Sequence, residues 1–109
     1  MYLKEYTIDF RNVTSFFEMH FQIREALNFS HYYGCNWDAF WDCLTDMAGE
    51  PMRIKIIGLE AISTEKFDNS AEIFIQILKN FKHYENDAFK EQIVVESVDA
   101  KTNQITVIE

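Results

Sequence analysis

Four stretches of the chain have the composition of β-strands: the first two alternate apolar with polar residues, and the last two are mainly apolar. They are residues 2–10 (YLKEYTIDF), 52–58 (MRIKIIG), 93–98 (IVVESV) and 105–109 (ITVIE). Alternating side chains point to opposite faces of a strand, so each stretch can bury one face. Gly58 closes the second stretch, and KTNQ at 101–104 is typical of a turn. The pattern therefore predicts four strands, of which the last two can form a hairpin.

Helical spacing of apolar residues separates the strands. Thr14 or Ser15 can cap a first helix, whose apolar positions are Phe17, Phe21 and Ala26–Leu27. A short helix is predicted at 62–67, after the second strand. Strands that alternate with helices indicate an α/β domain with a mainly parallel sheet. The hairpin would add one antiparallel strand at the edge of that sheet.

A longer amphipathic helix is predicted over 71–81. Asp68, Asn69 or Ser70 can serve as its N-cap. Its apolar residues recur at a spacing of three or four, as one buried face of a helix requires: Ile73, Phe74, Ile77, Leu78 and Phe81.

Residues 36–47 predict the remaining helix, with Asn36 as its N-cap and Gly49-Glu50-Pro51 beyond its end. At 100° per residue the apolar side chains share one broad face, which core burial explains: Trp37, Phe40, Trp41, Cys43, Leu44 and Met47. The opposite face carries Asp38, Asp42 and Asp46, and the chain has no Lys or Arg between Arg24 and Arg53.

Folding alone does not explain this row of aspartates. Asp38 lies in the first turn, where the helix dipole favours a negative charge, but Asp42 and Asp46 lie beyond that turn. Like charges four residues apart cost about 0.2–0.5 kcal/mol per pair, and Asp is a poor helix former. A purely structural surface would more readily carry a lysine in the row.

Aromatic residues surround the aspartates. Tyr32 and Tyr33 lie just upstream, and Trp41 lies at the edge of the apolar face. Tyrosine and tryptophan beside charge are typical of protein-binding surfaces. The alternative is that both tryptophans belong to the core and the tyrosine pair packs the loop.

Composition and charge narrow the possible partners. A length of 109 residues suits a single domain, 1–109, and the net charge of −8 opposes direct contact with nucleic acid or anionic membranes. The same charge favours a basic partner, or serves solvation alone. No stretch approaches 18 apolar residues, and the N-terminus lacks the apolar run of a signal peptide, so we expect a cytoplasmic protein. Cys35 and Cys43 would be about 12 Å apart along a helix, too far for a disulfide, so we expect free thiols.

Enzymatic alternatives find less support. Asp38 and Asp42 could hold Mg²⁺ together with a substrate phosphate, but no basic residue for the phosphate lies nearby in sequence. His31 and Cys35 could form a thiol–imidazole pair, but they flank a glycine in a predicted loop. The chain contains no GxGxxG, P-loop, HExxH or GxSxG motif, and neither cysteine belongs to a zinc-binding pair.

The run YYGCNWDAFWDCLTD at 32–46 strongly resembles the signature of the barstar family, the intracellular inhibitors of the ribonuclease barnase. The chain matches that signature at these positions: Tyr32, Tyr33, Gly34, Asn36, Asp38, Ala39, Trp41, Asp42, Cys43, Leu44 and Thr45. Pro51 before a strand agrees as well, as does Asn69-x-Ala71-Glu72 at the start of the long helix. The resemblance spans residues 2–83 and leaves open whether 93–98 or 105–109 is the family's final strand.

The resemblance implies a small three-stranded parallel sheet flanked by helices. It also implies an inhibitor that fills a ribonuclease active site with the loop and the second helix. Asp38 and Asp42 would face the enzyme's basic phosphate-binding site, with Asp42 in place of a substrate phosphate. Tyr32, Trp41 and Thr45 would line the interface.

Three departures from the family pattern bear on which nuclease is the target. Cys35 replaces an acidic residue, Trp37 replaces a smaller aliphatic one, and Asn80 aligns with a glutamate that barstar offers to its enzyme. The identity of the target therefore stays open between a barnase-like ribonuclease and a different secreted toxin nuclease.

The sequence thus predicts a non-enzymatic inhibitor or immunity protein, monomeric alone, that binds a basic ribonuclease or toxin nuclease one to one without metal or cofactor. The candidate partner-binding residues are Tyr32, Tyr33, Gly34, Asn36, Trp37, Asp38, Trp41, Asp42, Thr45, Asp46 and Asn80. One alternative is an acidic module for another basic toxin or a nucleic-acid-binding protein. The other is a small Mg²⁺-dependent hydrolase built on Asp38 and Asp42.

Overall fold

The strands form one mixed sheet. The computed structural model describes residues 4–62, 69–84 and 93–109. Within them the strands are β1 (Lys4–Asp9), β2 (Met52–Ile57), β3 (Ile93–Val98) and β4 (Ile105–Ile108), adjacent in that order. β2 is parallel to both β1 and β3, whereas β3 and β4 are antiparallel. The predicted α/β fold with an antiparallel strand at one edge is confirmed.

Three α-helices lie between the strands in the described part of the chain: α1 (Phe16–Ala26), α2 (Trp37–Thr45) and α3 (Ser70–Lys82). A 3₁₀ turn follows β2 at Leu59–Ala61. The short helix predicted at 62–67 falls almost wholly on 63–68, outside the described residues. Of the helices described, the longest has 13 residues, and none is long and apolar enough to cross a membrane.

Side-chain caps explain where α1 begins. Ser15 Oγ accepts the N–H of Glu18 at 3.1 Å, and the Glu18 carboxylate accepts the Thr14 N–H at 2.8 Å and the Thr14 hydroxyl at 3.0 Å. This reciprocal arrangement satisfies N–H groups that a helix start leaves without partners. At α3 the N-cap is Asn69, in the left-handed region at φ 62°, and its side chain makes no capping hydrogen bond.

The core lies between one face of the sheet and the helices. The strands bury alternate side chains on that face: Ile8, Met52, Ile54, Ile56, Ile93 and Val95. The helices cover them with Met19, Ile23, Phe40, Leu44, Phe74, Leu78 and Phe81. Each such side chain contributes about 1.5–3 kcal/mol on burial, so the two layers hold each other in place.

The predicted apolar face of α1 is wrong for its two phenylalanines, whereas Leu27 is buried as predicted. Phe17 and Phe21 are 65% and 40% exposed. The buried row is instead Met19, Ile23 and Leu27, which also share a spacing of four. Both rows fit a helix, and only one can face the sheet. The aromatic row is therefore left on the surface.

Candidate protein-binding site

Asn36 fixes where α2 begins. Its Oδ1 accepts the N–H of Ala39 at 2.8 Å, and its Nδ2 donates to the Gly34 carbonyl at 3.3 Å. The predicted N-cap is confirmed, and such caps contribute about 0.5–2 kcal/mol. The same side chain ties the helix to the loop before it.

α2 ends at Thr45, two residues before the predicted end near Met47. The backbone tightens there, because the N–H of Met47 donates to the Leu44 carbonyl at 3.0 Å and that of Ala48 to the Thr45 carbonyl at 3.1 Å. Asp46 is consequently the C-cap residue rather than part of the helix. Thr45 is half-buried, and its hydroxyl donates to the Asp42 carbonyl at 3.0 Å.

The loop before α2 displays one tyrosine and buries the other. Ser30 holds the turn, since its carbonyl accepts the Tyr33 N–H at 2.9 Å and its hydroxyl accepts the Tyr32 N–H at 3.1 Å. Tyr32 is 88% exposed, whereas Tyr33 is only 7% exposed. Cys35 follows at φ 53°, a left-handed conformation that few non-glycine residues adopt.

Tyr33 packs against a buried histidine of α1. The Tyr33 hydroxyl lies 2.5 Å from Nδ1 of His20 on α1, and the His20 ring centroid lies 4.4 Å from that of Trp37. Burial lowers the pKa of His20 to about 4 and raises the pKa of Tyr33. Tyr33 was expected on the contact surface, but its burial assigns it to the core, where it supports the loop that carries Tyr32.

The three aspartates of the row are exposed. In the described part of the chain the ion pairs are formed by other carboxylates, and none involves Asp38, Asp42 or Asp46. Their charge acts on the thiol of Cys43, whose pKa is raised first by burial and then by Asp46 and Asp42. The row therefore presents negative charge that no described basic side chain neutralises.

A groove of about 510 Å³ brings five of the predicted residues together. One wall consists of Trp37, Asp38, Trp41 and Asp42 from α2, and the other consists of Ile77 and Asn80 from α3. Asn80 reaches this wall from a distant part of the sequence. The other candidates lie outside the groove: Tyr32, Gly34 and Asn36 on the loop side, and Thr45 and Asp46 at the helix end.

Two residues of this region were not predicted. Ile77 was assigned to the core by its spacing, but it is half-buried and lines the groove. Tyr84 packs edge-on against Trp41 with ring centroids 5.5 Å apart, and this contact holds one indole of the groove wall. No sequence pattern links Tyr84 to Trp41, because the contact depends on how α2 and the end of α3 lie together.

The chemistry of the groove suits a cationic group. Carboxylates form strong charge-assisted hydrogen bonds with guanidinium or ammonium groups, and an indole face attracts the same cations. A metal site is less well supported, because the described residues contain no group of three His, Cys, Asp or Glu side chains that could hold an ion. Asp38 and Asp42 alone would leave most of the octahedral shell of Mg²⁺ to other ligands.

Comparison with known proteins identifies the family. A sequence profile described as Barstar (barnase inhibitor) matches residues 3–96. The chain belongs to the barstar family. This barstar-family protein is also 28% identical over 94 residues to YrdF of Bacillus subtilis (strain 168), which is named as a candidate ribonuclease inhibitor; the match covers 86% of this chain and 100% of YrdF.

The barstar match ends inside β3. Residue 96 is the fourth of the six residues of that strand, so β3 is the last strand within the match. The turn at 99–104 and β4 lie beyond it. The edge strand is thus an addition to the part of this protein that the barstar profile covers.

Proposed function

We propose that this protein inhibits a basic ribonuclease by filling the enzyme's active site with α2 and the loop before it. The observation that carries the proposal is the groove in which Asp38 and Asp42 lie beside the rings of Trp37 and Trp41. A ribonuclease needs cationic side chains to hold RNA phosphates, and a carboxylate can take the place of a phosphate opposite them. Membership of the barstar family and the name of the relative YrdF support inhibition over other uses of an acidic surface.

Each candidate residue has a role in this proposal. Asp42, in the middle of the exposed face of α2, replaces the phosphate, and Asp38 adds a second charge one turn away. Tyr32 and Trp41 pack against the enzyme, and Asn80 closes the groove from α3. The remaining candidates have supporting positions, since Asn36 and Gly34 shape the loop while Thr45 and Asp46 lie at the rim.

The net charge of the whole chain also suits binding to a basic nuclease. A net charge of −8 attracts a basic enzyme over several ångströms and speeds the encounter. Fast encounter matters for an inhibitor in the cytoplasm, because it must neutralise a nuclease before RNA is cut. We propose a non-catalytic protein, monomeric at low concentration, that binds one nuclease molecule per chain without metal or cofactor.

The experiment is a titration of RNA cleavage by barnase with this protein. We expect cleavage to fall linearly with added inhibitor and to vanish at one molar equivalent. The double variant Asp38→Asn/Asp42→Asn is the matched control, because it keeps the shape of the groove and removes both charges. Full cleavage at a tenfold excess of the unaltered protein would contradict the proposal for barnase-like ribonucleases. Binding that leaves cleavage intact would favour the acidic-module alternative.

A further inference from the structure

A single buried side chain of α1 contacts both segments that carry the candidate binding residues. His20 is fully buried. Its Nδ1 lies 2.5 Å from the hydroxyl of Tyr33, in the loop before α2. Its ring centroid lies 4.4 Å from that of Trp37, the first residue of α2. His20 therefore connects the loop and the helix of the site from below.

The contact with Tyr33 attaches the loop to the rest of the fold. Tyr33 is next to Tyr32, whose side chain is 88% exposed. The N–H groups of both tyrosines donate to Ser30, at 3.1 Å to its hydroxyl and 2.9 Å to its carbonyl. Those two hydrogen bonds shape the turn from within, whereas the one to His20 ties it to α1. The place of Tyr32 on the surface thus depends on His20.

The contact with Trp37 supports a wall of the groove. Trp37 lines the groove together with Asp38 and Asp42. In the described part of the chain the His20 ring has the nearest centroid to the indole, and three phenylalanines pack at 5.8–6.2 Å: Phe16, Phe40 and Phe74. Because Trp37 directly precedes Asp38, the support of its ring also fixes how the first turn of α2 lies against α1.

Packing alone does not explain a histidine at this position. Among the described residues its Nε2 has no hydrogen-bond partner, and a buried polar atom without a partner lowers stability. An aliphatic side chain would fill the space without that cost, but it could not bond the Tyr33 hydroxyl. The histidine supplies a directional contact, which keeps Tyr33 in one place.

We propose that His20 is a positioning residue for nuclease binding, which holds Tyr33 and Trp37 so that the loop and the groove are arranged before the nuclease arrives. This inference rests on the proposed function and deepens it. His20 is buried, so it acts through the two aromatic residues and not by touching the nuclease. A surface that is ordered beforehand loses less conformational entropy on binding, and loosening that surface weakens the affinity.

The test measures affinity and stability separately at pH 7.5, with barnase as the probe. The double variant His20→Phe/Tyr33→Phe replaces both partners by apolar rings, so its free energy of unfolding in urea should stay near that of the unaltered protein. We expect its affinity for barnase to fall about tenfold all the same, because the hydrogen bond that ties the loop to α1 is gone.

Ile62→Ala is the control for a loss of stability alone. Ile62 is buried and lines a different cavity, with Ala71 at the start of α3, whereas Asn80 of the groove lies near the end of that helix. The change removes buried apolar surface and should lower the free energy of unfolding. Its affinity for barnase should stay within about twofold of the unaltered value.

Hydrogen exchange of the protein alone supplies a measurement that needs no nuclease. In the double variant the amides of Tyr32 and Tyr33 should exchange about tenfold faster, because the loop opens more readily. The amide of Phe10, which donates to the Ile57 carbonyl at 2.8 Å beside the sheet, should exchange at the unaltered rate.

The outcomes separate this inference from the proposed function. If the unaltered protein binds barnase and the double variant binds it as tightly, His20 has no positioning role and the inference is wrong. Unchanged exchange at Tyr32 and Tyr33 would contradict the inference without reference to any nuclease. An affinity that follows stability in Ile62→Ala as it does in the double variant would assign His20 to folding alone. If the unaltered protein does not bind barnase, the proposed function fails for barnase-like ribonucleases and the inference fails with it.

Discussion

The stability of this protein should fall as the pH drops from about 6.5 towards 4, because His20 is buried as a neutral ring. Its Nδ1 meets the Tyr33 hydroxyl, and among the described residues its Nε2 has no hydrogen-bond partner. A protonated ring would need a partner at both nitrogens and would leave a charge in the core. Burial is accordingly the cause of the lowered pKa.

The magnitude follows from the shift in pKa. The unfolded chain takes up this proton near pH 6.5 and the folded chain near pH 4, so the unfolded state binds more protons between those values. The contribution of His20 is therefore complete above pH 6.5 and is lost as the pH falls. At 1.36 kcal/mol per pKa unit the whole loss is about 3 kcal/mol, of which about 2 kcal/mol has occurred by pH 5.

The assay is urea unfolding at pH 7.5 and pH 5, at constant ionic strength, for the unaltered protein and the double variant His20→Phe/Tyr33→Phe. The double variant replaces both partners by apolar groups of similar shape, so no hydroxyl is left without a partner. The two proteins differ only at His20 and Tyr33, so the difference between their losses reports on that pair. We expect the unaltered protein to lose about 2 kcal/mol more than the variant. Equal losses would refute the assignment of a buried neutral His20.

Three further predictions concern capping, thiols and steering. Asn36→Ala should lower the free energy of unfolding, measured in urea, by about 1 kcal/mol, because the N–H of Ala39 loses its acceptor. An unchanged free energy of unfolding would contradict the capping role of Asn36. Cys43 should react more slowly with a thiol reagent in the folded protein than in urea, since its raised pKa reduces the thiolate, and equal rates would contradict its half-buried position. The association rate with barnase should fall steeply between about 0.01 and 0.15 M salt, as the Debye length shrinks from about 30 to 8 Å, while dissociation changes little; a flat association rate would argue against steering.

The elements of the fold were predictable from local patterns. Alternation at 2–10 and 52–58 and the apolar stretches at 93–98 and 105–109 located the four strands, and the side chains of Ser15 and Asn36 located two helix starts. These signals are local. The side-chain pattern of a strand is visible in neighbouring residues, and a capping side chain forms its hydrogen bond within three or four residues of its own position. The expected antiparallel edge strand followed from the turn residues at 101–104.

The features that local sequence patterns did not predict depend on contacts between distant segments of the chain. Which face of α1 is buried was not predictable, because the aromatic row and the row containing Met19 and Ile23 fit the same period. The burial of Tyr33 depends on His20, thirteen residues earlier, and on a turn that no short motif encodes. Asn80 was predicted only through the family resemblance, since nothing local indicates that it faces α2.

The most direct test of the central claim is a pair of measurements on Asp42→Ala and Asp46→Ala: urea unfolding alone, and binding to barnase. Both aspartates are exposed and form no ion pair within the described residues, so neither change should destabilise the fold. Asp42→Ala should raise stability by about a few tenths of a kcal/mol through better helix propensity and less repulsion. Asp42→Ala should weaken binding by about 2–5 kcal/mol, mostly through faster dissociation, a range taken from charge pairs of the prototype barnase–barstar complex. Asp46→Ala, at the rim, should cost below about 1 kcal/mol. If the Asp42→Ala variant loses folding stability and keeps its affinity for barnase, Asp42 is a structural residue. That result would contradict the proposal that Asp42 of α2 takes the place of an RNA phosphate.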